Sequence, residues 1–208
     1  MQLPDLMMAR SVLPLLDIAG IAIFAVSGAL AAARRGQTIV TFLFFAAVTG
    51  TGGGTLRDLL IGAPVFWIYD NRALAVCLVA ALAVWLTPRR VWPVNALEWF
   101  DGAGLAAYAV FGSWKALAYG VPPLGAAMMG VVTACMGGVI RDVLAGEPSI
   151  LLRPEIYVTA AALASGLFVL LMMAGAPVLP AAGIAAAAGF ALRAFAITRG
   201  LALPAYRD

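Results

Sequence analysis

The sequence contains no histidine, and only 11% of its residues are charged. Without imidazole groups the chain lacks a common metal ligand, the usual proton relay and the base of the familiar hydrolase triads. Its two cysteines, Cys77 and Cys135, lie in apolar runs, where we expect small buried side chains rather than a disulfide or a metal site. No nucleophile–base pair stands out either. We therefore expect no enzyme activity, no cofactor and no resident metal.

Apolar residues dominate instead: 64% of the 208 residues are hydrophobic, and the mean hydropathy is +1.01. A soluble domain is about 45–50% apolar and about 25% charged. One soluble core cannot hide this much apolar surface, so we expect an all-α integral membrane protein surrounded by lipid. The net charge of +3 is small, and we interpret it as loop charge that sets membrane orientation, with no nucleic-acid partner.

Hydropathy and helix breakers divide the chain into seven apolar segments, each predicted to be a transmembrane helix of about 20 residues. No separate soluble domain fits in the remainder, so residues 1–208 form one transmembrane domain. The segments run over about 15–33, 38–62, 73–87, 97–118, 124–146, 156–174 and 181–198.

The arginines in the loops predict the orientation of the helices, because cytoplasmic loops of membrane proteins are enriched in Lys and Arg. One side would receive Arg34, Arg35, Arg89, Arg90, Arg153, Arg193, Arg199 and Arg207, and the other only Arg10 and Arg72. This bias places the C-terminus in the cytoplasm and the N-terminus outside.

An internal repeat appears when the sequence is shifted by 84 residues, which places Arg57-Asp58 on Arg141-Asp142 without a gap. We assign repeat one to about 15–87, repeat two to about 97–174, and the seventh helix to neither. Each repeat holds three helices, so the second must enter the membrane in the opposite orientation. Inverted repeats of this kind are typical of transport proteins, whose pathway lies between the copies.

Glycine clusters interrupt the second and fifth segments. They comprise Gly50, Gly52, Gly53 and Gly54 in one copy and Gly137 and Gly138 in the other, with Thr49, Thr51 and Thr133 nearby. Glycine weakens a helix by up to about 1 kcal/mol relative to alanine, so we expect a kink or local unwinding that lines the pathway. Freed carbonyls and threonine hydroxyls could then coordinate a partly dehydrated cation. The alternative is close packing of helices through small residues.

Charged residues follow each glycine cluster: Arg57 and Asp58 in one copy, Arg141 and Asp142 in the other. Charges this deep in a membrane normally pair or face water. Asp17 and Asp101 occupy equivalent positions at the starts of the first and fourth segments. We therefore predict the pairs Asp17–Arg57 and Asp101–Arg141 at opposite ends of the pathway, as structural salt bridges or as gates.

Two further charges lie near the expected mouths. Lys115, near the end of the fourth segment, has no charged counterpart in the first copy and either snorkels to the interface or responds to voltage in a vestibule. Glu147, after the fifth segment, either attracts cations at the inner mouth or is a solvated loop residue.

Three motifs resemble the prokaryotic branch of the trimeric intracellular cation (TRIC) channel family, whose bacterial members have also been described as glycine-transporter-like membrane proteins. The motifs are Asp17-Ile18-Ala19-Gly20, the Gly-Gly-Gly-x-x-Arg-Asp stretch at 52–58 and the Gly-Gly-x-x-Arg-Asp stretch at 137–142. The resemblance implies seven helices in two inverted repeats plus one, a homotrimer in the bacterial inner membrane, and a pore in each protomer. It also implies permeation by monovalent cations, chiefly potassium, past kinked second and fifth helices.

Two functions from different classes remain open. The leading prediction is a passive channel for potassium that also admits sodium. The alternative is a carrier for a small neutral solute such as glycine, which would need a site for the zwitterion and alternating access.

Overall fold

The computed structural model describes the backbone of residues 3–204 and the side chains of residues 17–204. Two arginines used to predict orientation, Arg10 and Arg207, therefore have side chains outside the described residues. No strand occurs in the described range apart from an isolated bridge between Glu155 and Ala202. The chain is an all-α membrane protein, as predicted from its composition.

Seven helices of 16 residues or more fill the described range. They are α1 (Leu3–Arg34), α2 (Ile39–Leu60), α3 (Asn71–Leu86), α4 (Ala96–Ala118), α5 (Pro123–Ala145), α6 (Val158–Met173) and α7 (Val178–Arg199). A four-residue helix, Phe66–Tyr69, precedes α3, and short 3-10 turns follow α3 and α5. Gly146 and Gly200 end α5 and α7 in the left-handed conformation, with φ of 66° and 61°, which glycine adopts without a steric penalty.

Four helices are long and apolar enough to cross a membrane: α1 from Asp17 onward, α2, α5 and α7. The apolar helices α3 and α6 have only 16 residues each, and α4 carries Glu98, Asp101 and Lys115. The chain is thus a multi-pass membrane protein, and the exact number of seven membrane crossings stays a prediction.

The helices pack in two groups of three. Within the first group α1, α2 and α3 contact one another, and within the second α4, α5 and α6 do the same. The groups meet through α1 against α4 and α2 against α5, while α7 packs on α4 and α6. Alanine fills many of the most buried positions, which allows the helix backbones to approach closely.

Contacts between the two groups are reciprocal. A Cβ added to Gly20 would meet the ring of Tyr108 at 2.8 Å, and one added to Gly104 would meet the ring of Phe24 at 2.9 Å. Residues 20 and 104, like 24 and 108, are separated by the 84-residue repeat. A contact that is repeated with the partners exchanged is the mark of a two-fold axis. The two repeats therefore face each other across an approximate two-fold axis, as an inverted duplication requires.

Candidate ion pathway

The glycine clusters lie where α2 and α5 touch. A Cβ added to Gly137 would lie 2.5 Å from the carbonyl oxygen of Thr49, and one added to Gly53 would overlap the carbonyl oxygen of Thr133 still more closely. This contact is again reciprocal across the two-fold axis. It also shows that α2 and α5 run antiparallel, because the lower-numbered residue of each helix meets the higher-numbered residue of the other. Two helix backbones can pack this closely only where side chains are absent.

The helical hydrogen-bond pattern continues through both clusters, so local unwinding is not found, and a kink in either helix stays a prediction. The alternative prediction, close packing, accounts for the glycines that the structure describes. Gly50 lies against Cys77 and Ile21, Gly52 against Ile140, Gly54 against Phe66, and Gly138 against the hydroxyl of Tyr157.

The threonine hydroxyls are mostly engaged within their own helices. The Thr51 hydroxyl donates to the Ala47 carbonyl at 2.8 Å, and the Thr133 hydroxyl donates to the Met129 carbonyl at 2.6 Å. Thr49 differs, because its Oγ1 is buried without a hydrogen-bond partner in the described range. With both helices intact, their backbone carbonyls are not freed to coordinate a cation at this point.

Arg57 lies about 6 Å along α2 from Gly53 at the glycine contact, four residues at 1.5 Å each. We call this side of the contact the Arg57 end and the opposite side the Arg141 end. Arg57 and Asp58 are fully buried, and Nε of Arg57 donates to Oδ1 of Asp58 at 2.8 Å. Nζ of Lys115 also donates to this Oδ1, at 2.8 Å, while Oδ2 accepts the backbone N–H of Phe66. Asp58 thus joins α2, α4 and the segment after α2.

The guanidinium of Arg57 is otherwise held by an aromatic ring. Its Cζ lies 5.2 Å from the ring centroid of Phe111, and Nη1 and Nη2 make no hydrogen bond with the described residues. Although Nη2 lies 2.8 Å from Asp58, only Nε has hydrogen-bonding geometry, so we assign the bond to Nε. A cation over an aromatic face contributes about 0.5–2 kcal/mol, depending on desolvation.

The Arg141 end repeats the pair of neighbouring Arg and Asp, but Ala31 stands where the repeat would require a lysine partner. Nε and Nη2 of Arg141 donate to Asp142 at 2.9 and 2.8 Å, and Oδ2 of Asp142 accepts the backbone N–H of Ile150. Nη1 of Arg141 donates to Asp101 and to the Ser27 hydroxyl, each at 2.5 Å. The structure therefore contains the predicted Asp101–Arg141 pair, deeply buried between α4 and α5.

The equivalent Asp17–Arg57 pair is not formed, so that prediction is wrong for this structure. Among the described residues Asp17 makes no salt bridge, and its backbone carbonyl accepts a hydrogen bond from Tyr108 at 3.4 Å. The physical reason is the residue that faces Arg57. Ser27 bridges Arg141 and Asp101, but its counterpart in the other repeat is Phe111, which cannot donate or accept a hydrogen bond.

Lys115 and Glu147 are both engaged rather than free. The side chain of Lys115 is only 17% exposed and forms an ion pair with Asp58. It therefore does not snorkel to the membrane interface, which was one of its two predicted roles. Glu147 pairs with Arg35 at 2.5 Å, with both side chains close to half exposed. That pair joins the end of α1 to the end of α5.

A polar cavity of about 280 Å³ opens at the Arg141 end. Asp101, Arg141 and Asp142 line it, together with Glu147 and Arg193. Oδ2 of Asp101 is buried without a hydrogen-bond partner in the described range, so one carboxylate oxygen beside the cavity is unsatisfied.

Sequence reasoning missed the part that α7 plays here, because it used Arg193 only to predict orientation. Arg193 is 2% exposed, forms an ion pair with Glu155 at 2.8 Å and lies over the ring of Tyr157. The available signal was an isolated arginine inside an alanine-rich segment, since such a charge must find a partner inside the protein.

Comparison with known proteins gave two kinds of match. A family model described as glycine transporter matches residues 14–89 and again 98–173. The UPF0126 membrane protein of Vibrio cholerae is 44% identical over 155 residues, which span 72% of this chain and 64% of that protein. The UPF0126 inner membrane protein YadS of Escherichia coli is 42% identical over 70% of this chain and 72% of its own length.

Solved structures match over nearly the whole chain. The TRIC trimeric intracellular cation channel orthologue from Rhodobacter sphaeroides superimposes with a TM-score of 0.85 at 43% identity, covering 92% of this chain and all of that one. A second TRIC cation channel, from a study of conductance, gives a TM-score of 0.82 at 29% identity and covers 94% of this chain and 97% of its own.

Proposed function

The chain belongs to the prokaryotic TRIC family, whose family model is described as glycine transporter, and on that basis we propose that it is a passive channel for monovalent cations. Potassium and sodium would cross within one protomer, between the two repeats. The protomer would belong to a homotrimer in a bacterial inner membrane, as the names of the matched proteins suggest. The C-terminus would lie in the cytoplasm, so the Arg141 end would be the inner mouth.

One observation carries this proposal: buried pairs of acidic and basic side chains flank the α2–α5 contact on both sides. Asp58 with Arg57 and Lys115 lies on one side, and Asp101 with Arg141 on the other. A charge at the centre of a membrane costs about 2.5–3.5 kcal/mol on insertion scales, so such groups mark ion pathways more often than scaffolds. Their placement on opposite sides of the contact, at positions exchanged by the two-fold relation of the repeats, supports a path that runs from one face to the other.

The structure corresponds to a closed pathway in this proposal. α2 and α5 touch backbone to backbone at Gly53 and Gly137, which leaves no room for a cation between them. Conduction therefore requires the two helices to separate or rotate. Lys115 is suited to control that movement, because moving one charge through the membrane field is worth about 2.3 kcal/mol per 100 mV.

Planar bilayer recording with the purified protein tests the proposal. Under a tenfold KCl gradient we expect unitary currents that reverse near the potassium equilibrium potential, and replacing KCl with NaCl then measures selectivity. A matched control is Arg72→Gln, which removes an exposed charge that pairs with Asp70 away from the α2–α5 contact. Membranes that stay silent with correctly assembled protein at all voltages would refute a channel.

The glycine-carrier alternative has the description of the family model in its favour. Carriers with inverted repeats commonly bind a substrate carboxylate at the N-terminus of a broken helix. Both glycine-containing helices are continuous here, so that kind of site is absent from α2 and α5. Saturable glycine uptake into proteoliposomes, without unitary currents, would nevertheless establish the carrier.

A further inference from the structure

A second cavity, much larger than the polar one, opens at the same end of the molecule. It has a volume of about 950 Å³ and lies between the end of α1, the start of α2, the end of α3 and the connection to α4. We call it the Trp85–Arg89 cavity after two residues that line it. Its volume lies within the range of about 300–1,000 Å³ that is usual for small-molecule sites.

The lining of this cavity changes from polar to apolar with depth. Gln37, Thr87 and Arg89 lie beyond the helix ends, whereas Leu30 and Phe42 lie within the helices, about one turn from those ends. Since α1, α2 and α3 all terminate here, this level corresponds to the boundary between headgroups and acyl chains. Aromatic residues concentrate at that boundary, and Trp85 packs edge-on against Phe42 at a centroid distance of 5.0 Å.

The charge of the cavity is positive and comes from one residue. Arg34 also lines it, but Glu98 neutralises this side chain through bonds of 2.9 and 2.7 Å. Arg89 is exposed and has no ion-pair partner among the described residues. Trp92 also lines the cavity, and its Nε1–H is buried without a hydrogen bond in the described range. A buried donor without a partner is uncommon in folded proteins, and a bound water or ligand would satisfy it.

The other repeat shows that the fold does not need these residues. Shifted by 84 positions, Phe42 corresponds to Ala126, Trp85 to Val169 and Arg89 to Met173. The equivalent place in repeat two thus has neither the aromatic pair nor the cation. The features of the Trp85–Arg89 cavity therefore belong to this end of the molecule and not to the duplicated scaffold.

From this geometry we propose that the Trp85–Arg89 cavity binds one anionic glycerophospholipid per protomer. Its phosphate would accept hydrogen bonds from Arg89, and its first acyl segment would lie along Phe42 and Trp85. A net negative headgroup is favoured over a zwitterionic one, because the single carboxylate nearby, Glu98, is already occupied by Arg34. The site shares Arg34, Leu97 and Glu98 with the polar cavity at the Arg141 end, whereas Phe42, Trp85 and Arg89 do not line that cavity. Lipid binding at Arg89 can therefore be measured independently of conduction.

Native mass spectrometry of the protein in neutral detergent tests the site. The probes are dioleoyl phosphatidylglycerol, dioleoyl phosphatidylcholine with the same tails, and inorganic phosphate. We expect one tightly bound phosphatidylglycerol per protomer, weaker retention of phosphatidylcholine, and no comparable binding of phosphate. Arg89→Gln should weaken phosphatidylglycerol binding about fivefold, the effect of one surface cation on an anionic lipid. Arg89→Lys, which keeps the charge, should restore most of the affinity.

Arg90→Gln is the matched control, since Arg90 shares the same 3-10 turn and exposure but does not line the cavity. Equal losses in the Arg89→Gln and Arg90→Gln proteins would reduce the effect to general surface charge and overturn the proposal. Phosphate that binds as well as the lipid would do the same by showing an ion site without an acyl component. If Arg89→Gln dissociated the oligomer and left lipid binding intact, the cavity would be an interface between copies.

Discussion

Replacing Gly137 with alanine should force α2 and α5 apart. The added Cβ would lie 2.5 Å from the carbonyl oxygen of Thr49, whereas such contacts are essentially never shorter than 3.0 Å, so the backbones must shift by at least about 0.5 Å. Overpacking of this kind costs about 1–3 kcal/mol. Alanine also gains up to about 1 kcal/mol in helix propensity, which partly hides the cost.

A matched control separates the two effects. Gly183 lies inside α7, and an added Cβ there would meet nothing within 4 Å, so Gly183→Ala keeps the propensity gain without the clash. The difference between the two variants isolates the helix contact, and we expect Gly137→Ala to be less stable by about 1–3 kcal/mol. Thermal denaturation of both purified proteins in the same detergent measures the order of their melting temperatures.

The same variant reports on function. If the α2–α5 contact closes the pathway, Gly137→Ala should raise the open probability in bilayers while Gly183→Ala leaves it unchanged. The reasoning about the contact fails if Gly137→Ala melts at or above the temperature of Gly183→Ala. Normal gating in a destabilised Gly137→Ala protein would instead show that the glycines serve packing alone.

Three further predictions follow from the charges and the loops. Asp101→Asn should lower the melting temperature strongly, because removing one partner of a buried pair costs about 3–5 kcal/mol, whereas Asp17→Asn should change it little; comparable losses in both would contradict the assignment of the pairs. Lys115→Met should shift the voltage dependence of opening in bilayer recordings, and an unchanged curve would exclude Lys115 from gating. A reporter that is active only in the periplasm should stay silent when fused to the C-terminus, and strong activity would reverse the proposed orientation.

Much of the fold could be predicted from the sequence because a membrane restricts the choices. Apolar segments must form helices in lipid, and a repeat of three helices must invert. The 84-residue shift also placed the two glycine clusters at equivalent positions and predicted the Asp101–Arg141 pair. These features depend on composition and spacing, which a sequence displays directly.

The parts that failed depend on which side chain faces which. Glycine runs are equally compatible with a broken helix and with a tight contact, and only the position of the opposing backbone distinguishes them. The helix is continuous at Gly52–Gly54, so the unwinding expected there is not found. Arg193 lies outside the repeat, so the comparison of the two copies could not associate it with the cavity at the Arg141 end.

The failed prediction at Asp17 shows that the two copies have become chemically different at their charged ends. The 84-residue repeat aligns Phe111 with Ser27 and Lys115 with Ala31. At one end Arg141 is therefore tied to α1 and α4 by Ser27 and Asp101. At the other end the cross-helix ion pair of Asp58 comes from a lysine on a long flexible stem.

This difference has a mechanical consequence. Breaking the cross-helix contacts of Arg141 leaves it paired with Asp142 but leaves the buried carboxylate of Asp101 without a partner, which costs several kcal/mol. At the Arg57 end Lys115 can leave Asp58 while Arg57 still pairs with that carboxylate, so no buried carboxylate loses its last partner. The Arg57 end is thus the one that can rearrange at lower cost, and we expect opening of the α2–α5 contact to begin there.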